Sequence, residues 1–278
     1  MAARSPLAAP RALSGAAPRA AHRAAPHAAY VLHRYDWSES SLILDLFTRD
    51  LGRIAVAAKG AKRPYSQLRS VLLPFQRILV TLGRAARDEA SSEVQNLRGA
   101  EWAGGAAMLT GAALFSGFYL NELLMKLLAR HDPHAAQFDA YAQTLPALVS
   151  VDDAQVQAAL RAFELTLLRE IGVLPDLSLV TLTQQPVRTD ACYTLQAETG
   201  VGDARGANAD LTGAVLTGLQ AALQHGSLPA LQQACGASRP ELKVLLRGLI
   251  QHHLGSATLR TRQVMLDLQG LQTESLTP

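Results

Sequence analysis

The feature that most limits how this chain can fold is a stretch of 37 residues, 51–87, that carries only one sign of charge. It contains eight Lys or Arg side chains and no Asp or Glu. Between Arg53 and Lys59 the basic and apolar positions alternate, and this period of two predicts a β-strand with one buried face and one basic outer face. A single-sign outer face is typical of a surface for phosphates, although a solvated basic rim without a ligand gives the same pattern. Gly60 then leads into a loop that carries more cations, and Pro64 ends the strand ladder.

The charge of the chain is divided unevenly along its length. Residues 1–87 hold 14 basic and 4 acidic side chains, whereas residues 88–278 hold 12 basic and 19 acidic ones, and the formal net charge is +3. The basic portion indicates a nucleic-acid partner. The acidic remainder indicates a scaffold that does not wrap DNA along its whole length.

The hydrophobic periodicity predicts an α+β protein. Residues 1–28 are rich in Ala, Pro and Arg and predict a disordered basic tail, with an organelle transit peptide as the less favoured reading. Residues 29–103 predict a five-stranded oligonucleotide-binding (OB-fold) barrel, because they contain short strand-like segments separated by turn signals. The predicted strands are 30–35, 41–48, 53–59, 71–82 and 93–101.

The period becomes helical after the barrel. Residues 104–175 predict an all-α domain with helices at 116–130, 135–148 and 153–171, the last with Asp152 as N-cap. Residues 176–210 predict an irregular or hairpin-like excursion, and residues 211–278 predict a small C-terminal appendage. Its helices are expected at 212–224, 228–234, 239–254 and 261–271.

No constellation of residues predicts an enzyme or a metal site. The two cysteines, Cys192 and Cys235, belong to no Cys-x-x-Cys pair, and so few thiols fit a reducing cytoplasm. No phosphate-binding loop, dinucleotide fingerprint or nucleophile elbow occurs. No apolar run reaches the roughly 18–20 residues that span a bilayer. We therefore predict no catalytic residues, no metal, no cofactor and no membrane partner.

A cation lies beside apolar residues on the predicted helix 153–171. At 100° per residue, Arg161 falls between Leu165 and Leu168, away from the main apolar stripe. A cation next to an apolar groove suits a short acidic-hydrophobic peptide or a C-terminal carboxylate. The simpler alternative is an arginine whose stem covers two buried leucines.

Several segments in order resemble the bacterial DNA-repair family RecO. The most specific is SGFYLNELL at 116–124. The others are YVLH at 30–33, WSESSLILDLFT at 37–48, GRI at 52–54, AKGAKR at 58–63, LPFQ at 73–76, LRAFEL at 160–165 with IG at 171–172, and LG at 254–255 ahead of LRTR at 259–262. The resemblance covers about residues 29–271 and is weakest over 176–210.

This resemblance implies a recombination mediator that is not an enzyme. Such a protein binds single- and double-stranded DNA, anneals complementary strands, and with RecR (and RecF in some pathways) helps load RecA onto strands coated by the single-strand-binding protein SSB. It would work in the cytoplasm, associated with the nucleoid. Some members bind zinc in the C-terminal region, but this chain has only Cys192 there, so no metal is expected.

The resemblance also assigns residues. The acidic tail of SSB is expected on the helical domain, and Arg161 and Ile171 match positions of that helix, which favours a tail-binding groove formed with Leu165 and Leu168. The charge pattern, and not the resemblance, selects the residues expected to bind DNA, which are the following: Arg34, Arg53, Lys59, Lys62, Arg63, Tyr65, Arg69 and Arg77. Tyr65 either stacks on an unpaired base or packs on the barrel. From a different class, a protein-interaction adaptor whose basic patch docks an acidic partner remains the alternative.

Overall fold

The computed structural model describes most of the chain after residue 24. The described residues are 25–83, 94–105, 108–204, 210–236, 239–255, 259–264 and 267. Of the predicted basic tail, residues 1–24 therefore lie outside the described residues. The same holds for Arg84 and Arg87, two of the eight cations in the acid-free stretch.

Five strands close into a barrel, and this confirms the predicted OB-fold. They are β1 (His27–Asp36), β2 (Leu42–Thr48), β3 (Gly52–Ala58), β4 (Gln76–Leu82) and β5 (Val94–Gly105). Their order is β1-β2-β3-β5-β4, with β3 and β5 parallel and the other neighbours antiparallel. Period-two alternation fills the barrel with apolar side chains, among them Leu44, Leu46, Ile54, Val56, Ile78 and Val80.

The predicted strand 71–82 is shorter than expected, because its beginning is helical. Leu68–Val71 forms a short helix, α1, and β4 starts only at Gln76. Leu68, Val71 and Leu72 follow the i, i+3, i+4 spacing of a helix face. They pack against the barrel core, and Leu72 is 1% exposed. Helix α1 therefore covers one end of the barrel.

Three long helices follow the barrel, as predicted. They are α2 (Gly111–Leu127), α3 (Ala135–Ala147) and α4 (Asp153–Glu170). Helix α2 begins five residues earlier than the predicted 116–130. The N-cap of α4 is confirmed, since Asp152 Oδ1 accepts a hydrogen bond from Ala154 N at 2.9 Å.

A small sheet and three further helices complete the described fold. Strands β6 (Cys192–Gln196), β7 (Gly200–Asp203) and β8 (Leu211–Thr212) form an antiparallel sheet in the order β7-β6-β8. The helices are α5 (Gly213–His225), α6 (Leu228–Cys235) and α7 (Arg239–Leu254). Among the described helices, none is long and apolar enough to cross a membrane.

The small sheet is held by apolar packing and hydrogen bonds. Tyr193, Leu195 and Val201 are at most 3% exposed and join the core that also contains α4 and α5. Thr181 Oγ1 accepts from Val201 N at 2.9 Å. Within the described residues, no group of three or more His, Cys, Asp or Glu side chains could hold a metal ion. Apolar packing and hydrogen bonds thus join the small sheet to the helical core.

Aromatic residues join the barrel to the helical domain. The rings of Tyr30 and Phe47, on the outer face of β1 and β2, lie 5.2 and 5.5 Å from Phe138 of α3. Asn121 of α2 donates to the Leu32 carbonyl oxygen at 3.0 Å, which ties the same face to a second helix. One side of the barrel is therefore covered by helices, and the loops at its end remain open.

Candidate nucleic-acid interface

Three of the predicted DNA-binding cations meet at one end of the barrel. Arg34 near the end of β1, Lys62 after β3 and Arg69 in α1 line an open pocket of about 430 Å³, together with Asp36. The remaining lining residues are Leu42, Ala61 and Leu72. Three cations against one carboxylate give the pocket a positive charge. We call this pocket the barrel mouth.

The strand register places Arg34 at the barrel mouth. Arg34 pairs with Leu44, whose side chain lies in the barrel core, so the two side chains share the inner face of the sheet. At the end of the barrel this inner face opens toward solvent. The guanidinium Nη1 of Arg34 donates to the carbonyl oxygen of Leu72 at 3.4 Å, which ties β1 to the end of α1.

Lys62 joins two loops at the barrel mouth. Its ammonium nitrogen lies 3.1 Å from Asp36 Oδ1 and donates to the Ser38 carbonyl oxygen at 3.0 Å. Lys62 N also donates to the Ser40 carbonyl oxygen at 3.0 Å. The charge of Lys62 is therefore shared with Asp36, and its main role in this geometry is to fix the loop between β1 and β2 against the loop after β3.

The outermost part of the loop after β3 carries the freely exposed residues of the predicted set. Lys59, Arg63 and Tyr65 are all exposed, and Tyr65 is 99% exposed. The alternative in which Tyr65 packs on the barrel is therefore wrong. Arg63 folds back over Gly60, whose φ of +73° makes the turn. The cations stand beside an aromatic ring that is available for stacking.

Arg53 does not belong to this surface, and its prediction is corrected. Its guanidinium Nη1 donates to the Met125 carbonyl oxygen of α2, and its own carbonyl oxygen accepts from His131 N at 2.9 Å. Burial lowers the pKa of Arg53. Ala55 and Ala57, on the same face of β3, are also buried. The outer face of β3 is thus covered rather than basic and open, because the helical domain lies over its beginning.

Arg77 is exposed but lies away from the barrel mouth. It pairs with Tyr30 across β1 and β4, and the Tyr30 ring packs against Phe138 and Tyr141 of α3. Arg77 therefore stands on the barrel wall beside the helical domain. Its contact with DNA stays a prediction.

The predicted tail-binding groove on α4 is closed. Leu165 and Leu168 are 0% exposed and Arg161 is 6% exposed, whereas Ile171 is partly buried. The Arg161 guanidinium pairs with Glu164 at 2.6 Å inside the protein. The prediction of an open groove at these residues is wrong, because α3, α6 and α7 cover the face of α4 that periodicity alone leaves free.

Two exposed aromatic residues next to the barrel mouth were not among the DNA-binding residues predicted from the sequence. Tyr35 and Trp37 are 42% and 57% exposed, at the end of β1 and in the loop after it. The signal was present in the segment HRYDW at 33–37, where aromatic side chains alternate with charged ones. Such alternation on a strand puts the rings on one face and the charges on the other.

Two of the segments that resemble the RecO family meet in space. Glu122, within 116–124, accepts hydrogen bonds from Arg260 N at 2.8 Å and from Thr261 N and Oγ1 at 2.9 and 2.7 Å. Lys126 lies 3.4 Å from the same carboxylate. Residues 138 positions apart are thereby joined. The carboxylate caps the first turn of the helical segment that begins at residue 260.

Comparison with known proteins identifies the family. The model of the recombination protein O N-terminal domain matches residues 26–103, a range that includes most of the barrel strands, and that of the recombination protein O C-terminal domain matches residues 108–263. The chain belongs to the RecO family. The match of the N-terminal model to the closed five-stranded barrel agrees with the OB-fold.

Curated relatives extend over most of the chain. The DNA repair protein RecO of Polaromonas naphthalenivorans is 52% identical over 245 residues, covering 87% of this chain and 96% of the relative. The proteins of the same name from Variovorax paradoxus and Verminephrobacter eiseniae are each 51% identical with the same coverage. Membership of this family supports a role in DNA repair and recombination.

Proposed function

We propose that this chain is a non-enzymatic recombination mediator that binds single- and double-stranded DNA at the barrel mouth. The observation that carries the proposal is the convergence of Arg34, Lys62 and Arg69 on one open pocket, with Lys59 and Arg63 exposed beside it. Three separate chain segments supply these cations. Phosphates that bind there release counterions, so affinity is independent of sequence and falls steeply with salt.

Strand annealing follows from the shape of the surface. Two complementary strands repel each other through their phosphates, and a basic surface that binds both strands reduces that repulsion. The cations at the barrel mouth lie on an open surface and on loops, so the phosphates can bind while the base edges stay free to pair. The chain then helps RecA load onto SSB-coated strands, with RecR and the acidic tail of SSB as partners, and RecF in some pathways.

The SSB tail is retained as a partner, but Arg161 is not its binding site. That guanidinium is paired with Glu164 inside the helical domain. The resemblance to the family supports the partner, and the structure provides no open site for it at the residues chosen from the sequence.

The test is oligonucleotide binding over a salt series. The variant Lys59→Gln/Arg63→Gln/Arg69→Gln removes three cations of the surface without touching Lys62, which holds the two loops together. We expect the parent to bind single strands with a steep salt dependence. In the variant, the slope of log affinity against log salt should fall by roughly two, because each lost phosphate contact removes about 0.7 from the slope for single strands.

Arg188→Gln provides a matched control, since this exposed arginine in the segment before β6 pairs with Asp190 at 3.0 Å and lies outside the proposed surface. It should bind DNA like the parent. If the triple variant also binds like the parent, the barrel mouth is not the DNA site. A parent whose weak DNA binding barely changes with salt, together with tight binding of an acidic protein, would support the adaptor function instead.

A further inference from the structure

Three ring-bearing side chains follow one another at alternate positions of β1 and its loop. His33 and Tyr35 lie on the outer face of β1, and Trp37 follows in the loop, whereas Arg34 and Asp36 line the barrel mouth on the other side. His33 is exposed, and the exposed fractions of Tyr35 and Trp37 are 42% and 57%. We call these three residues the aromatic row. A group of exposed aromatic side chains beside a basic pocket marks a site of interaction with a ligand.

The surrounding structure holds the rings of His33 and Tyr35 and the backbone of Trp37 in place. The His33 and Tyr35 rings contact edge to face with centroids 4.4 Å apart, and the Tyr35 hydroxyl donates to Asp45 Oδ2 at 3.5 Å. Trp37 N donates to the Ser41 carbonyl oxygen at 3.3 Å, which closes the loop that carries the indole. A ring whose backbone is already fixed loses little conformational entropy on binding.

Two carboxylates near the row, those of Asp36 and Asp45, are already paired with cations. Asp36 lies 3.1 Å from the Lys62 ammonium, and Asp45 lies 3.5 Å from the Arg130 guanidinium. They therefore do not present unpaired negative charge to a phosphate backbone. Arg34 lies on the opposite face of the same strand, at the barrel mouth. A strand whose phosphates lie at the mouth can thus bring its bases over the row.

We infer that the aromatic row is a stacking platform for the unpaired bases of single-stranded DNA. This inference rests on the proposed function and specifies its ligand. The bases of a single strand are free to leave their stack and lie against exposed aromatic rings. Rings have no preference among the four bases, so the platform is sequence-tolerant. Duplex DNA keeps its bases stacked and reaches only the cations of the barrel mouth.

Intrinsic fluorescence tests the contact directly. The chain contains two tryptophans, so Trp102→Phe leaves Trp37 as the only one, and Trp37→Phe leaves Trp102. We expect oligo-dT to quench the fluorescence of the Trp102→Phe variant, with much weaker quenching in the Trp37→Phe variant. An equimolar duplex should quench Trp37 far less than the single strand does. The inference is overturned if oligo-dT quenches only the Trp37→Phe variant, or if duplex and single strand quench Trp37 equally.

Affinity provides the second test. Tyr35→Ala/Trp37→Ala should weaken binding of oligo-dT by roughly 5- to 150-fold, the loss typical of one stacked base. Binding of a duplex should change less than twofold. Leu182→Ala is the matched control, because it removes an apolar side chain that is 80% exposed in a segment far along the chain from the barrel. Circular dichroism verifies that the exposed positions can be changed without unfolding.

The outcomes separate this inference from the proposed function. If the parent binds no DNA at low salt, the proposed function fails. If the parent binds both forms of DNA and the Tyr35→Ala/Trp37→Ala variant loses affinity for neither, or for both equally, the proposed function stands and the aromatic row is not a base-stacking platform.

Discussion

Arg161 and Glu164 form an ion pair inside the helical domain, with 2.6 Å between Arg161 Nη2 and Glu164 Oε1. The Tyr119 hydroxyl of α2 donates to the same oxygen at 2.7 Å. Burial raises the pKa of Glu164, while the Arg161 charge and the Tyr119 hydrogen bond act in the opposite direction. Because both charged groups are almost fully withdrawn from water, each depends on the other.

Glu164→Gln should therefore destabilise the protein strongly. The substitution leaves the Arg161 guanidinium buried without a counter-charge, and we expect a loss of about 3–5 kcal/mol in the free energy of unfolding. Urea denaturation followed by circular dichroism measures it. Arg161→Met/Glu164→Leu, which replaces both charges by apolar side chains, should cost less than the single change. A single variant as stable as the parent would show that the pair is not required.

Glu122→Gln should destabilise the protein at neutral pH by about 1.5–3 kcal/mol, as expected for the loss of hydrogen bonds to a charged group. Burial by itself would raise the pKa of Glu122, but hydrogen bonds from Thr261 and Arg260 and the charge of Lys126 outweigh burial and lower it. The stabilisation is thus present above the ordinary value of 4.5 and is lost as the pH falls through the lower pKa of the folded protein.

The difference in unfolding free energy between the parent and Glu122→Gln should accordingly narrow as the pH is lowered from 5 toward 3. Urea titrations at several pH values measure this difference. A difference that stays constant over this range would mean that the charge of Glu122 does not stabilise the C-terminal segment.

Gly52→Ala should be far more harmful than an ordinary glycine substitution. Gly52 has a φ of +68°, and a Cβ there would lie 2.0 Å from the Asp132 carbonyl oxygen, where the barrel meets the segment between α2 and α3. We expect the free energy of unfolding to fall by more than about 3 kcal/mol, because backbone strain and a steric clash add together. Thermal and urea unfolding both measure the effect.

Gly226→Ala is the matched control for Gly52→Ala. Gly226 ends α5 with a φ of +74°, and a Cβ there would have no atom within 4 Å. Only the cost of the left-handed conformation remains, about 1–2 kcal/mol. Equal losses in the two variants would show that close approach to Asp132 is unimportant.

The two cysteines should differ sharply in reactivity. Cys192 is exposed, whereas burial raises the pKa of the Cys235 thiol to about 12. Since the thiolate is the nucleophile, a chromogenic disulfide reagent at pH 8 should label Cys192 rapidly and Cys235 only after denaturation. Cys192→Ser should abolish the fast phase. Rapid labelling of both thiols in the native protein would contradict the buried position of Cys235.

The sequence predicts features that depend on neighbouring residues of the chain. The barrel strands follow from period-two alternation, as in Ile54 and Val56, which lie in the barrel core. The start of α4 follows from Asp152, whose side chain reaches a backbone amide two residues away. The acid-free stretch likewise predicts where cations concentrate, and the exposed Lys59 and Arg63 agree with that pattern.

Whether a predicted face is open to solvent is decided only by the tertiary structure. Arg53 and Arg161 have the sequence signature of surface cations, yet one contacts α2 and the other is buried with Glu164. Periodicity states which side chains share a face, whereas burial of that face depends on elements distant in sequence. The barrel mouth is the same kind of feature, because Arg34 and Arg69 are brought together only when the barrel closes. The sequence by itself thus determined most of the elements and their charge, whereas long-range packing determined which charges remain available to a ligand.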